Sequence, residues 1–383
     1  MQVLMITSGL EKSFGGPPEA VCGASSALAK LGVRTSVAVF GQTLDSWNSS
    51  HFKEILESNA VENLHYPSRR TSKYGGICSL KDLIFLWDSI RNADFITLHQ
   101  VYNFQNILCA LILRIQHKRF AIMPHGSMTS YQMRKHRIRK YFVNPIFMRG
   151  IVNKANRIFV ATESEKEEIP LKWQSKTRIV GLGIASHLGP TRRQKHDNPC
   201  FTFIYMGRLA PKKRIDVTLR SLKLATELSS KPIKLIVCGT GEPSIVNQVY
   251  EYQKTPGLLQ VDYRGWVGGL EKEQLLSSAD CFILTSEDEN FAMAVAEGLS
   301  FGLPALISSK VALSILVNRY SAGSVFTGLD IEAIAREVLK IMDRNMSHLS
   351  ENAFNASKEL TWDFVAKKWL DEIILVLNHV NSD

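Results

Sequence analysis

The 383-residue chain has no apolar run approaching the roughly 20 residues of a membrane-spanning helix; its longest candidates, such as 107–115, reach about half that. Its N-terminus lacks a basic region followed by a long apolar one. Residues 2–7 read instead as a short buried strand, so no signal peptide is expected. The six cysteines (22, 78, 109, 200, 238 and 281) are scattered singly, with no pair at zinc-ligand or redox spacing. Reduced, buried thiols in a cytoplasmic protein are the expectation. There is no repeat of solenoid length, no low-complexity segment and no Asp-x-Asp metal motif. No nucleic-acid-binding motif is present, which argues against a nucleic-acid partner.

What remains is an ordinary globular composition, 45% hydrophobic and 21% charged, on a chain long enough for two domains. The formal charge of +10 is unevenly placed. Residues 1–190 carry 24 Lys and Arg against 13 Asp and Glu, whereas 191–383 carry 22 against 23. The densest basic run is Arg134, Lys135, His136, Arg137, Arg139 and Lys140. It reads either as a solvated helix face or as a contact for an anionic surface, such as a phospholipid leaflet or a pyrophosphate-linked acceptor.

Short apolar strands alternate with helical patterns in both halves. Strands are expected at 3–7, 35–40, 95–98, 120–124, 157–161 and 177–180, then at 201–206, 233–238, 261–264, 281–284 and 305–308. Such alternation predicts parallel sheets with helices on both faces. The pattern restarts near residue 200, after a polar stretch at 189–199 that reads as a linker. The fold class is therefore α/β, with two doubly wound, Rossmann-like lobes. Ligand sites are expected at the carboxyl ends of the strands, in a cleft between the lobes. A helix over about 362–377 is amphipathic, with Phe364, Trp369, Ile373 and Leu377 among its apolar positions.

The strongest chemical signal lies after the strand at 281–284, where Glu289 falls in a strand-to-helix loop and Glu297 two turns into the following helix. Free N–H groups at a helix start suit an anionic diphosphate or sugar hydroxyls. Carboxylates suit vicinal hydroxyls as acceptors. A retaining glycosidase needs its two carboxyl groups about 5–5.5 Å apart, and eight residues of helix rise about 12 Å. The spacing therefore assigns both carboxylates to binding. The alternative is a charged loop beside one satisfied helix glutamate.

Arg208 and Lys213 follow the strand that opens the second lobe, and read either as an anion site or as a basic surface loop with Lys212 and Arg214. Gly15-Gly16 lie between the first strand and a helix beginning near Pro17-Pro18, where glycine permits close backbone approach and proline suits the first turn. The spacing is not that of a dinucleotide G-x-G-x-x-G. His125 and His99 each end a strand. A single histidine there is a structural residue or a ligand contact.

Glu289 and Glu297, with seven residues between them and Phe291 and Gly298 in place, resemble the E-x7-E motif of family-four retaining glycosyltransferases of the GT-B fold. The resemblance runs along nearly the whole chain. Gly207-Arg208 with Lys213 is similar to the family's G-R-x-x-x-x-K loop, Pro124-His125-Gly126 to its P-H-G segment, and Gly15-Gly16 to its glycine pair. Val237-Cys238-Gly239-Thr240-Gly241 and Gly265-Trp266-Val267 are similar to the segments that hold the base, and Gly302-Leu303-Pro304 to the turn after the motif helix. Two departures stand out: Asn290 and Ala292 replace glycines after the first glutamate. Asn290 tolerates left-handed backbone better than most residues. Gly181-Leu182-Gly183 replaces the family's Pro-Asn-Gly near the interlobe hinge.

The resemblance implies a retaining transferase that moves a sugar from a UDP- or GDP-sugar donor to a lipid-linked or saccharide acceptor. Arg208, Lys213, Glu289 and His125 would be catalytic. Arg208 and Lys213 would stabilise the leaving diphosphate, with the family's spacing selecting Lys213 over Lys212; no metal or cofactor is implied. Gly15, Gly16, Gly207, Gly239, Val267, Asn290, Phe291, Ala292 and Glu297 would line the donor, with Glu297 on the ribose and His125 near the anomeric carbon. His99 is a candidate on the acceptor side. By the same resemblance residues 1–190 form the acceptor-side lobe, 191–361 the nucleotide-sugar lobe, and the helix from about 362 crosses back to the first. The implied setting is bacterial surface polysaccharide or glycolipid assembly, cytoplasmic or peripheral at the inner membrane face. An inactive partner-binding subunit and a nucleotide-sugar epimerase on the same fold are the alternative functions.

Overall fold

The computed structural model describes residues 1–7, 9–10, 16–40, 51–66, 80–99, 104–128, 149–185 and 200–378. Gly15, the 134–140 basic run, the 189–199 linker and Cys78 therefore lie outside the described residues. The chain divides into two units, Met1–Gly183 with Trp362–Asp383, and Ile184–Thr361.

The first unit holds seven parallel strands: β1 (Gln2–Thr7), β2 (Arg34–Phe40), β3 (Glu62–Tyr66), β4 (Phe95–His99), β5 (Arg119–Met123), β6 (Arg157–Val160) and β7 (Thr177–Ile179). Their order is β3-β2-β1-β4-β5-β6-β7. The second unit holds β8 (Phe201–Met206), β9 (Ile233–Cys238), β10 (Leu259–Gly265), β11 (Cys281–Leu284), β12 (Ala305–Ser308) and β13 (Gly323–Phe326), in the order β10-β9-β8-β11-β12-β13. The central strands read as continuous apolar runs because helices cover both faces of a parallel sheet. In each sheet the strand order reverses beside the first strand, between β1 and β4 and between β8 and β11, which creates a crevice at the carboxyl ends.

Two strands were not expected from the sequence, β3 and β13. Both are edge strands. Glu62-Asn-Leu-His-Tyr66 and Gly323-Ser-Val-Phe326 each pair on one side only and carry no long apolar run. The described cysteines, Cys22, Cys109, Cys200, Cys238 and Cys281, are free thiols, and all but Cys200 are buried.

The last helix, Trp362–Asn378, belongs to the first unit. It buries Val365, Ala366, Trp369, Ile373 and Val376, whereas Phe364 is exposed and Leu377 only partly covered. The buried stripe thus differs from the expected one by about one helical position at its start. Glu372 ties the helix to the sheet through Arg157 at 3.2 Å and Arg178 at 3.5 Å. The Trp362 indole occupies the space beside Gly23 of the helix Gly16–Lys30: a Cβ on Gly23 would lie 2.0 Å from the ring. Gly183, in the Gly181-Leu182-Gly183 stretch, faces the same ring, and a Cβ there would lie 2.3 Å from it. Among the described residues no helix is long and apolar enough to cross a membrane.

Candidate active site

In the second unit the site begins with the backbone. The loops after β8 and β9 run in direct contact: Gly207 N donates to Cys238 O (3.0 Å), Leu209 N to Thr240 O (2.9 Å) and Glu242 N to Leu209 O (2.9 Å). A Cβ on Gly239 would lie 1.9 Å from Gly207 O, and one on Gly241 1.8 Å from Leu209 O. Any side chain at either position would separate the loops. These glycines are needed to lock the two loops together, whatever ligand they meet.

The loop after β8 then makes a single 3-10 turn, Pro211–Lys213, and passes through Arg214 at φ 50° into the helix Ile215–Ser229. Arg214 belongs to the scaffold. Its guanidinium grips both Asp216 oxygens at 3.0 Å and Glu287 at 2.7 Å. The loop is thereby held against the segment after β11, where Glu287 N also donates to Lys212 O (2.8 Å) and the Thr285 hydroxyl to Arg214 O (2.7 Å). Glu287 is exposed but not idle.

This clamp brings Lys213 and Glu289 together across the switch point, with Nζ 2.7 Å from Oε1 and both side chains at least 86% covered. Lys212 is 3.9 Å from the same oxygen and pairs instead with Asp288 at 3.4 Å. The geometry therefore distinguishes the two lysines in favour of Lys213. The Ser286 hydroxyl lies 3.0 Å from Glu289 Oε1. Glu289 is pinned by its backbone as well: its N–H donates to Lys310 O, and its carbonyl accepts from Ala312. Burial, and secondarily the Glu289 charge, push the Tyr205 phenol well above its usual range, so it stays neutral. Arg208 is exposed and makes no ion pair among the described residues, and its carbonyl lies 3.4 Å from the Tyr205 hydroxyl.

Glu297 sits elsewhere than the sequence spacing suggested. The helix begins only at Met293, so Glu297 is its fifth residue, little more than one turn in. The helix stops there because Ala292 has φ 67°, a left-handed conformation without a side-chain cap. The left-handed residue is therefore Ala292 and not Asn290, which has no positive φ. The estimate of eight helical residues between the carboxylates does not apply, because half of the interval is loop. Glu297 pairs with Lys272 at 2.8 Å, so the two carboxylates hold different cations. Phe291 and Val267 are buried, and Asn290 is partly buried.

The first unit carries a second cluster, at the ends of β4 and β5. His125 has φ 51° and Gly126 φ 75°, so two consecutive left-handed residues reverse the chain after β5. Glu165, 2% exposed, stabilises this turn by accepting from Gly126 N (2.6 Å) and Ala161 N (2.9 Å). His125 Nε2 lies 2.9 Å from His99 Nδ1, and His99 Nε2 lies 3.1 Å from the Thr97 hydroxyl. His99 is fully buried, stacked on Trp369 with ring centres 6.2 Å apart. In this placement His99 lies behind His125, with Trp369 stacked on its ring. Burial holds the His125 imidazole down at about 4. His99 is also lowered, by burial first and by His125 second. Gly16 is the first residue of the helix Gly16–Lys30.

Glu165, Thr97 and Lys272 escaped the sequence reading. Thr162-x-x-Glu165 is a capping-box pattern, and Thr162 does accept from Glu165 N at 3.2 Å. That signal was legible, but the use of the carboxylate on a distant turn was not. Among the described residues no group of three His, Cys, Asp or Glu side chains is placed to hold a metal ion.

Two parallel units of this order, each with its polar side chains at the strand ends, define a GT-B, Rossmann-like fold. Solved structures agree. The chain superposes with TM-score 0.71 on Anabaena HepE in complex with UDP and glucose, at 15% identity, covering 98% of this chain and 100% of that one. It superposes with TM-score 0.69 on sucrose-phosphate synthase from Thermosynechococcus elongatus, at 16% identity, covering 99% and 100%. Residues 191–359 match the family model described as Glycosyl transferases group 1. Among curated relatives, an Escherichia coli UDP-Gal:alpha-D-GlcNAc-diphosphoundecaprenol alpha-1,3-galactosyltransferase is 27% identical over 184 residues, 45% of this chain and 46% of that protein. A Mycobacterium tuberculosis GDP-mannose-dependent alpha-(1-6)-phosphatidylinositol dimannoside mannosyltransferase is 26% identical over 168 residues, 44% and 42%. Each match spans less than half of the relative's own length.

Proposed function

We propose that this chain is a retaining glycosyltransferase that moves a sugar from a nucleoside diphosphate donor to a hydroxyl acceptor. The observation that carries this reading is the Lys213–Glu289 pair at 2.7 Å, at the switch point between β8 and β11 and five residues on from an exposed Arg208. Fixed cations at that place stabilise the negative charge that grows on the leaving diphosphate. Glu289, held by its backbone hydrogen bonds, accepts hydrogen bonds from sugar hydroxyls, and Glu297 does so from ribose hydroxyls. The leaving phosphate takes the proton of the incoming hydroxyl on the same face of the sugar, which retains configuration without a protein nucleophile. Arg208 and Lys213 supply the charge stabilisation, so the reaction needs no metal ion.

A lipid-linked or saccharide acceptor and a UDP- or GDP-sugar donor fit the activities of the similar proteins, whose names include UDP-Gal with a diphosphoundecaprenol-linked sugar and GDP-mannose with a phosphatidylinositol dimannoside. The setting inferred is bacterial surface polysaccharide or glycolipid assembly on the cytoplasmic side, with residues 134–140 on an anionic leaflet. Sedimentation with anionic vesicles tests that contact: neutralising the six basic side chains there should abolish it.

The test of the reaction is a panel of UDP- and GDP-sugars with lipid-pyrophosphate and oligosaccharide acceptors, run in chelator, with the product's anomeric configuration read by NMR. Transfer with retention supports the reading. Inversion, or donor conversion without acceptor, overturns it.

A further inference from the structure

The Thr97–His99–His125 chain has two possible proton arrangements. In one, His99 Nε2–H donates to the Thr97 oxygen and His125 Nε2–H donates to His99 Nδ1. In the other, the Thr97 hydroxyl donates to His99 Nε2, and His99 Nδ1–H donates to His125 Nε2. The first leaves the Thr97 proton buried, because its oxygen has no neighbour among the described residues except His99 Nε2. A buried donor without an acceptor costs more than a made bond returns. The second arrangement satisfies every buried group in the chain. It also fixes His125: with Nε2 accepting, its proton sits on Nδ1. That nitrogen has no partner among the described residues, and the ring is partly exposed.

We propose that His99 is a positioning residue that makes His125 a fixed, neutral N–H donor, which hands a hydrogen bond to a substrate oxygen and takes no proton from it. Three packing features hold the arrangement. Asn106 Nδ2 donates to the His99 carbonyl (3.1 Å), Trp369 stacks on the His99 ring, and Glu165 locks the turn after His125. Glu165 spends its oxygens on backbone N–H groups of Gly126 and Ala161. The low basicity of both rings agrees with a neutral pair. A general base at His125 would need a free lone pair on Nδ1, and this chain places a proton there instead.

The proton assignment stands apart from the transferase reading, whereas its use on a substrate oxygen rests on that reading. Nitrogen-15 histidine labelling of the full chain, with ring nitrogens assigned through His99→Phe and His125→Gln, tests the assignment without substrate. Near neutral pH both rings should be protonated at Nδ1 and bare at Nε2. A proton on His125 Nε2, or a doubly protonated His125, would overturn it. Thr97→Val keeps the shape and removes the hydroxyl, so His99 Nε2 loses its hydrogen bond and its nitrogen resonance should move; an unchanged Nε2 resonance would overturn the Thr97–His99 link.

In transfer assays His99→Phe should lower kcat about tenfold at unchanged KM, the equivalent of one hydrogen bond. His99→Asn, which keeps an N–H near the place of Nδ1, should recover most of that loss. An unchanged kcat in His99→Phe would overturn the positioning role. Failure of the wild-type chain to transfer from any donor would overturn the transferase reading and leave the spectroscopic result standing.

Discussion

β1 and β8 hold the same place in their sheets, and so do β4 and β11. The strand ends of the two units nevertheless carry opposite chemistry. In the first unit the ends of β4 and β5 carry an imidazole pair tied to a threonine. In the second they carry Lys213 on Glu289, Lys212 on Asp288 and Lys272 on Glu297. The first unit contains nearly all the excess positive charge of the chain, yet its site is uncharged; the second is close to neutral in sum, yet its site is built from ions. Net charge therefore describes surfaces, and local pairing describes sites. An ionic site suits a diphosphate, whose charge must be met. A neutral donor suits a sugar oxygen, where a fixed full charge would favour ground state and transition state alike.

The sharpest way to break the contrast is to discharge the second site. Lys213→Met should lower kcat about a hundredfold, as loss of a group that meets developing charge does. A comparable loss on replacing an exposed lysine elsewhere in the chain would remove the special status of the pair. Glu165→Gln, which weakens the hold on the His125 turn, should cost about 2 kcal/mol in urea unfolding and lower activity through the first unit alone. Gly23→Ala forces a methyl into the Trp362 ring and should destabilise by about 1–3 kcal/mol; nucleotide affinity of the second unit should not change.

The neutral pair also predicts a pH dependence. The unfolded chain takes up a proton on His125 near 6.5, and the folded chain only near 4. Between those values the unfolded state binds more protons, so stability falls as pH drops through the window and levels off below it. Each such histidine contributes at most about 1.4 kcal/mol per pH unit there. His125→Gln should flatten part of that slope in urea titrations, and Lys213→Met should leave it unchanged. Smallest of all, Ala292→Gly should raise the melting point slightly, with a gain of about 0.5 kcal/mol from relieving left-handed alanine against the freedom glycine adds to the unfolded chain. A drop in melting point would mean that the methyl group is packed usefully.

The nine interior strands of the two described sheets were legible from their apolar runs, because burial on both sheet faces demands them, and the edge strands β7 and β10 were anticipated as well. The edge strands β3 and β13 were invisible, because a strand paired on one side needs no apolar run and admits Glu62 and Ser324. Lys213 and Glu289 were legible as motif residues, though not as an ion pair, since 76 residues separate them and long-range bonds such as the Arg214–Glu287 clamp join their loops. Lys272 pairs with a residue 25 positions away and nothing local announces it, while the capping-box pattern announces Glu165 as a helix start but not its bond to Gly126. Ala292 was misjudged in favour of Asn290 because intrinsic tolerance of left-handed backbone yields to where the helix must start.

The most direct test of the central claim is a calorimetric titration of UDP and GDP, in chelator, into the wild-type chain and Glu297→Ala. Binding of one nucleotide without metal, weakened about tenfold by loss of the ribose carboxylate, is the predicted result. No binding of either nucleotide, or binding that Glu297→Ala leaves untouched, would contradict a nucleoside diphosphate site in the second unit.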